Sequence, residues 1–125
     1  ESLANELGVN AAYVLKRRVK GDATEVSAVN ADVAGKTVII YDDMIRSGGS
    51  IINAARTYKE AGAKRILVIT THGLFVANGL ERLRDCGLIE KVFCTNTHCT
   101  TATLADDFLE VHSIAPLILE QLQRY

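Results

Sequence analysis

The tightest constraint on the fold is a pair of continuous β-prone apolar runs, Val38-Ile39-Ile40-Tyr41 and Ile66-Leu67-Val68-Ile69-Thr70. A run that is apolar at every position, rather than at alternate ones, fits a strand buried on both faces of a parallel sheet. Between the two runs, Ile51, Ala55 and Tyr58 share one stripe of a helix over 51–61, while Arg56, Lys59 and Glu60 fall elsewhere. Gly62 closes that helix, because glycine adopts the left-handed conformation at low cost. Strand, helix and strand in that order form a βαβ unit with a right-handed crossover.

The same alternation continues downstream. Leu80 and Leu83 predict a helix from Gly79 to Cys86, ended by Gly87. Val92–Thr95 and Leu109–His112 read as two further strands, and Ser113 is placed to cap a last helix that carries Pro116 in its first turn. Upstream, Ser2–Leu7 reads as a helix closed by Gly8, and Ala11–Leu15 as a short strand. Over 16–35 the periodicity fades, and loops of that length in a compact domain are usually functional or disordered. The expectation is one α/β domain over 1–125, a largely parallel sheet flanked by helices.

Composition narrows the function classes. Fourteen basic residues against fifteen acidic ones leave a net charge of −1, which gives no general reason to expect nucleic acid or a membrane surface as partner. No apolar run approaches the roughly 20 residues of a membrane span, and Glu1, Asn5 and Glu6 argue against a signal or transit peptide. Locally, Lys16, Arg17, Arg18 and Lys20 form a dense basic cluster. The three cysteines, Cys86, Cys94 and Cys99, have no paired-ligand spacing, and His98 beside Cys99 with one distant cysteine makes a poor tetrahedral set. No metal site is predicted, and reduced thiols in a cytoplasmic protein are.

The chemistry-bearing segment follows the first buried run: Asp42-Asp43-Met44-Ile45-Arg46-Ser47-Gly48-Gly49-Ser50, read as a turn. In open α/β sheets, ligands bind beyond the carboxyl ends of the strands. Gly48 and Gly49 let backbone N–H groups approach an anion, Ser47 and Ser50 add hydroxyl donors, and the following helix directs its N-terminal partial charge to the same place. A phosphate suits that end. Asp42 and Asp43 repel phosphate but accept hydrogen bonds from a cis-diol, so a sugar phosphate explains the whole segment. It is not a Walker A loop, since no lysine follows the glycines. The competing reading is a tight turn with a serine cap and two surface aspartates.

VIIYDDMIRSGGS resembles the PRPP loop of the type I phosphoribosyltransferase fold. AGAKRILVITTHGLF, IEKVFCTNT and FLEVHSIAPLILEQL, with YVLKRR upstream, resemble consecutive stretches of the C-terminal domain of ribose-phosphate pyrophosphokinases. The resemblance implies that Lys16 and Arg18 belong to a flexible loop reaching the transferred phosphates. It also implies that Asp42 and Asp43 hold the ribose hydroxyls and that Arg46, Ser47, Gly48, Gly49 and Ser50 cradle the 5-phosphate. The implied reaction transfers a pyrophosphoryl group from MgATP to ribose 5-phosphate, with Mg2+ as cofactor, in a homo-oligomer when full length. A preceding domain of the same type is implied as well, so the chain is expected to be part of a longer, two-domain enzyme and inactive alone.

Arg46 stands where many relatives have aspartate or a small residue, and Leu15 where they often have aspartate. Two alternatives stay open: a phosphoribosyltransferase that consumes PRPP, and a non-catalytic regulatory homologue. His72, in Thr-His-Gly, is the histidine expected nearest a strand's carboxyl end, whereas His112 reads as structural.

Overall fold

A computed structural model describes residues 2–18 and 25–125. Helix α1 (Ser2–Leu7) ends at Gly8, whose φ of 65° is left-handed as expected. Strand β1 (Val14–Arg18) pairs antiparallel with β2 (Glu25–Val29), from Val14↔Val29 to Arg18↔Glu25, as a separate two-stranded sheet. This corrects two expectations. The strand starts three residues later than the apolar run Ala11–Leu15 suggested, and the 16–35 stretch contains a strand. What the fading apolar periodicity of 16–35 did not show is the pairing of β2 with β1.

The main sheet has four parallel strands in the order β3-β4-β5-β6: β3 (Thr37–Ile45), β4 (Arg65–Gly73), β5 (Lys91–Thr95) and β6 (Leu109–His112). Helix α2 (Gly49–Glu60) connects β3 to β4, α3 (Gly79–Asp85) connects β4 to β5, and a 3₁₀ turn (Thr101–Leu104) precedes β6. Helix α4 (Ala115–Leu122) follows β6 and buries none of its residues. Its first N–H groups are met by side chains: Asn96 Oδ1 accepts from Ile114 N at 3.0 Å and Ser113 Oγ from Ala115 N at 3.2 Å.

Strands laid down in sequence order with right-handed connections send their crossover helices to one face. The core lies on that face, where Val38, Ile66, Val68, Val92 and Leu109 meet Ile51, Ala55 and Tyr58 of α2 and Leu80 and Leu83 of α3. The opposite face is open among the described residues: Ile39 is 53% exposed and Tyr41 55%. The apolar run of β3 is therefore buried on one side, not on both, and β3 is an edge strand. The arm is tied to the core through Tyr58, whose hydroxyl donates to Ala12 O at 3.2 Å, and through Val14 and Val29, which pack against the cluster.

Candidate functional site

The acidic pair lies inside β3, which runs on to Ile45 instead of ending at Tyr41. Pairing persists because Asp42 stands opposite Thr70, Met44 opposite His72 and Ile45 opposite Gly73. Asp42 thus sits on a rung of the ladder and Asp43 follows it within the strand, rather than in a turn. Asp42 is half-buried and Asp43 exposed, and Asp42 Oδ1 accepts the N–H of Asp43 at 3.0 Å. Burial raises the Asp42 carboxyl above the ordinary range, and the neighbouring Asp43 carboxyl adds to the rise, with the Asp43 and Met44 N–H groups partly offsetting it. A carboxyl so placed gains from hydrogen-bond donors such as a diol.

Beyond Ile45 the chain turns through Arg46, Ser47 and Gly48 into α2, with Gly48 at the N-cap, φ 77°. Three successive carbonyls of this turn face one way. Ile45 O accepts from Leu74 N at 2.9 Å and Phe75 N at 3.3 Å. The Arg46 carbonyl rests on the α-carbon of Gly79, where a β-carbon would lie only 2.6 Å from it. Ser47 O accepts from Arg82 Nη1 at 3.1 Å. All peptide bonds here are trans, and in a trans peptide the N–H points opposite to the C=O. The N–H groups of Ser47 and Gly48 are therefore turned away from α3. Those of Ser47, Gly48 and Gly49 donate to no described residue. Unpaired donors at a helix N-terminus suit an anion, and the turn is called the cradle below.

Around this cradle, Ser50 and Arg46 are exposed and Ser47 is half-buried. None of the three side chains has a partner among the described residues. Gly48 is required twice over: its φ is positive, and a β-carbon would come within 3.0 Å of Leu83 Cγ.

The segment after β4 forms the adjoining wall. His72 Nδ1 is 2.8 Å from Thr97 Oγ1, and Thr97 Oγ1 in turn donates to Thr71 O at 3.1 Å. Phe75, Ala77 and Asn78 have φ of 48°, 52° and 56°. Three left-handed non-glycine residues within four positions are a store of backbone strain, which gathers at functional sites. Among the described residues, one buried hydroxyl has no partner: Thr70 Oγ1, on the rung opposite Asp42. Sequence reasoning missed Arg82, Gly79, Thr70 and the strained segment. Only Gly79 carried a visible signal, and it read as a helix start.

Lys16 and Arg18 lie in β1, in register with Ser27 and Glu25; their side chains, and all of Lys20, lie outside the described residues. Among the described residues, the cysteines and His98 make no hydrogen bond to the cradle residues. Cys94 is buried in β5 and its thiol is pushed up to about 11 by burial, Cys86 Sγ contacts Leu83 O at 3.0 Å, and His98 Nδ1 is 3.0 Å from Thr100 Oγ1. His112 pairs with Glu110 at 3.0 Å and stacks obliquely on Phe93.

Comparison with known proteins gives the family. The chain is 42% identical to the ribose-phosphate pyrophosphokinase of Aquifex aeolicus, over 98% of this chain and 39% of that protein. To the putative ribose-phosphate pyrophosphokinase of Streptomyces coelicolor it is 36% identical, again over 98% of this chain and 39% of the relative. The crystal structure of phosphoribosylpyrophosphate synthetase from Mycobacterium smegmatis superposes with a TM-score of 0.84 at 36% identity, covering 98% of this chain and 39% of that one. The chain thus spans well under half the length of the curated relatives it matches. The phosphoribosyl synthetase-associated domain matches residues 6–125, and the chain belongs to that family.

Proposed function

We propose that this chain supplies the ribose 5-phosphate site of a ribose-phosphate pyrophosphokinase, working as the C-terminal domain of a longer two-domain enzyme. The observation that carries the reading is the pairing of two chemistries on one strand-to-helix connection. Asp42 and Asp43 offer carboxylate acceptors, and five residues on from Asp42, Ser47, Gly48 and Gly49 offer N–H donors with no partner among the described residues. A sugar phosphate, diol at one end and dianion at the other, matches that polarity along its length.

In the proposed reaction the anomeric oxygen of ribose 5-phosphate attacks the β-phosphorus of ATP. The bond between that phosphorus and the oxygen bridging to the α-phosphate breaks, AMP leaves with the oxygen, and the anomeric hydroxyl gives up its proton. Such transfers depend on positioning and on neutralising developing charge. The cradle fixes the 5-phosphate through Arg46, Ser47, Gly48, Gly49 and Ser50, and the acidic pair orients the ring. Lys16 and Arg18 are the proposed cations for the transferred phosphates. Mg2+ arriving with ATP keeps most of its waters and needs only one or two carboxylates. Asp42 and Asp43, the carboxylates of the proposed sugar-phosphate site, would be the ones to hold it; no cluster of three or more His, Cys, Asp or Glu gathers among the described residues. The ion would neutralise phosphate charge. A cytoplasmic homo-oligomer goes with this reading, and no helix among the described residues is long and apolar enough to cross a membrane.

Calorimetric titration of ribose 5-phosphate tests it. Saturable binding that the Asp42→Asn, Asp43→Asn double variant loses is expected. No binding by the intact protein at millimolar ligand, or binding that the double variant retains, overturns it.

A further inference from the structure

We propose that Arg82, on α3, is a positioning residue for the anion cradle, acting through the Ser47 peptide rather than on the ligand's diol end. This rests on the sugar-phosphate reading of the cradle. The three carbonyls that must turn back for the N–H groups to face forward are held by three different devices. Ile45 O is held by the amides of Leu74 and Phe75, and the Arg46 carbonyl by close packing on Gly79. Only Ser47 O, the carbonyl whose peptide carries the Gly48 N–H, is held by a side chain, through the 3.1 Å bond from Arg82 Nη1. The other terminal nitrogen of Arg82 sits 4.0 Å from where a Gly49 β-carbon would be, so the guanidinium lies along the back of the turn at its tightest point.

The need for a side-chain clasp follows from Gly48 itself. Glycine takes both signs of φ at similar cost, so the sterics of Gly48 do not fix the Ser47–Gly48 peptide, whereas the next peptide is held by the helical bond from Ile52 N to Gly48 O at 3.0 Å. A peptide flip there would present a carbonyl to the phosphate in place of an N–H. A charge-assisted bond to Ser47 O opposes that flip. Arg82 is itself exposed, so its removal leaves the core intact.

The test uses Arg82→Met and Arg82→Lys in the intact protein, with ribose 5-phosphate and inorganic phosphate as probes. Arg82→Met is expected to weaken both ligands in parallel by about tenfold, equivalent to about 1.4 kcal/mol, with an unchanged melting temperature. It is also expected to shift the Ser47 and Gly48 amide resonances before any ligand is added, and Arg82→Lys should recover part of each effect. If wild type binds ribose 5-phosphate and Arg82→Met binds it within twofold, or leaves those free-state amides unmoved, the role of Arg82 is overturned and the site stands. If wild type itself binds neither probe, the sugar-phosphate reading falls and takes this inference with it.

Discussion

The α-carbon of Gly79 abuts the carbonyl oxygen of Arg46, thirty-three positions earlier in the chain, so closely that a β-carbon would sit 2.6 Å from that oxygen. The obstruction is backbone, so it cannot swing aside. Gly79→Ala is expected to push the 46–48 turn off α3, lower stability by about 1–3 kcal/mol as overpacking does, and weaken ribose 5-phosphate about tenfold or more. Thermal melts and calorimetry on the same variant check both. Unchanged values in each would mean that the turn has slack.

Asp42 carries a penalty in the unliganded protein. Its folded carboxyl is raised by burial and by Asp43, so the folded state binds a proton more readily than the unfolded chain does. The penalty is present above the folded pKa and vanishes once pH falls below the unfolded value, near 3.8. Asp42→Asn is therefore expected to stabilise the free protein at pH 7 but not at pH 3, while reducing sugar-phosphate affinity at least about tenfold. Urea denaturation at the two pH values gives the sign. A larger gain at pH 3 would refute the assignment.

Thr70 is 1% exposed and its hydroxyl has no partner. Leaving such a group unsatisfied costs about 1–3 kcal/mol, so Thr70→Val, close in shape, is expected to stabilise the protein by about 1 kcal/mol. A loss of stability in denaturant titration would show that the hydroxyl is satisfied in solution, with Asp42 across the ladder the nearest candidate by register.

Ala77 is exposed and held at φ 52°. The left-handed conformation costs a residue with a β-carbon roughly 1–2 kcal/mol, part of which glycine returns through its freer unfolded chain. Ala77→Gly is expected to gain about 0.5–1 kcal/mol, seen as a melting temperature higher by a few degrees. Phe75 has the same sign of φ but is buried, with its ring against Gly73, so Phe75→Gly is expected to destabilise.

Lys16 and Arg18 provide a kinetic test. In the intact enzyme, Lys16→Ala or Arg18→Ala is expected to lower kcat by a factor of about 100 or more and to leave ribose 5-phosphate affinity within about twofold. A matching fall in affinity would place them at the sugar phosphate instead.

The sequence alone determined the elements whose signals are local. The helix stripe of Ile51, Ala55 and Tyr58, the closing Gly8 and Gly62 and the four strands of the parallel sheet were all legible, because neighbours in the chain report their own conformation. Tertiary structure decided what depends on residues far apart. Glu25–Val29 alternates polar and apolar only briefly, and its pairing with Val14–Arg18 is visible only in the fold. The run at Val38 looked buried on both faces, yet strand order sent α2 and α3 to one side and left Ile39 and Tyr41 open. The clasp of Arg82 and Gly79 on the 46–48 turn spans more than thirty residues and left no mark on either segment's own pattern. Local propensity states what a peptide can adopt, whereas the direction of its carbonyls is set by what packs behind them.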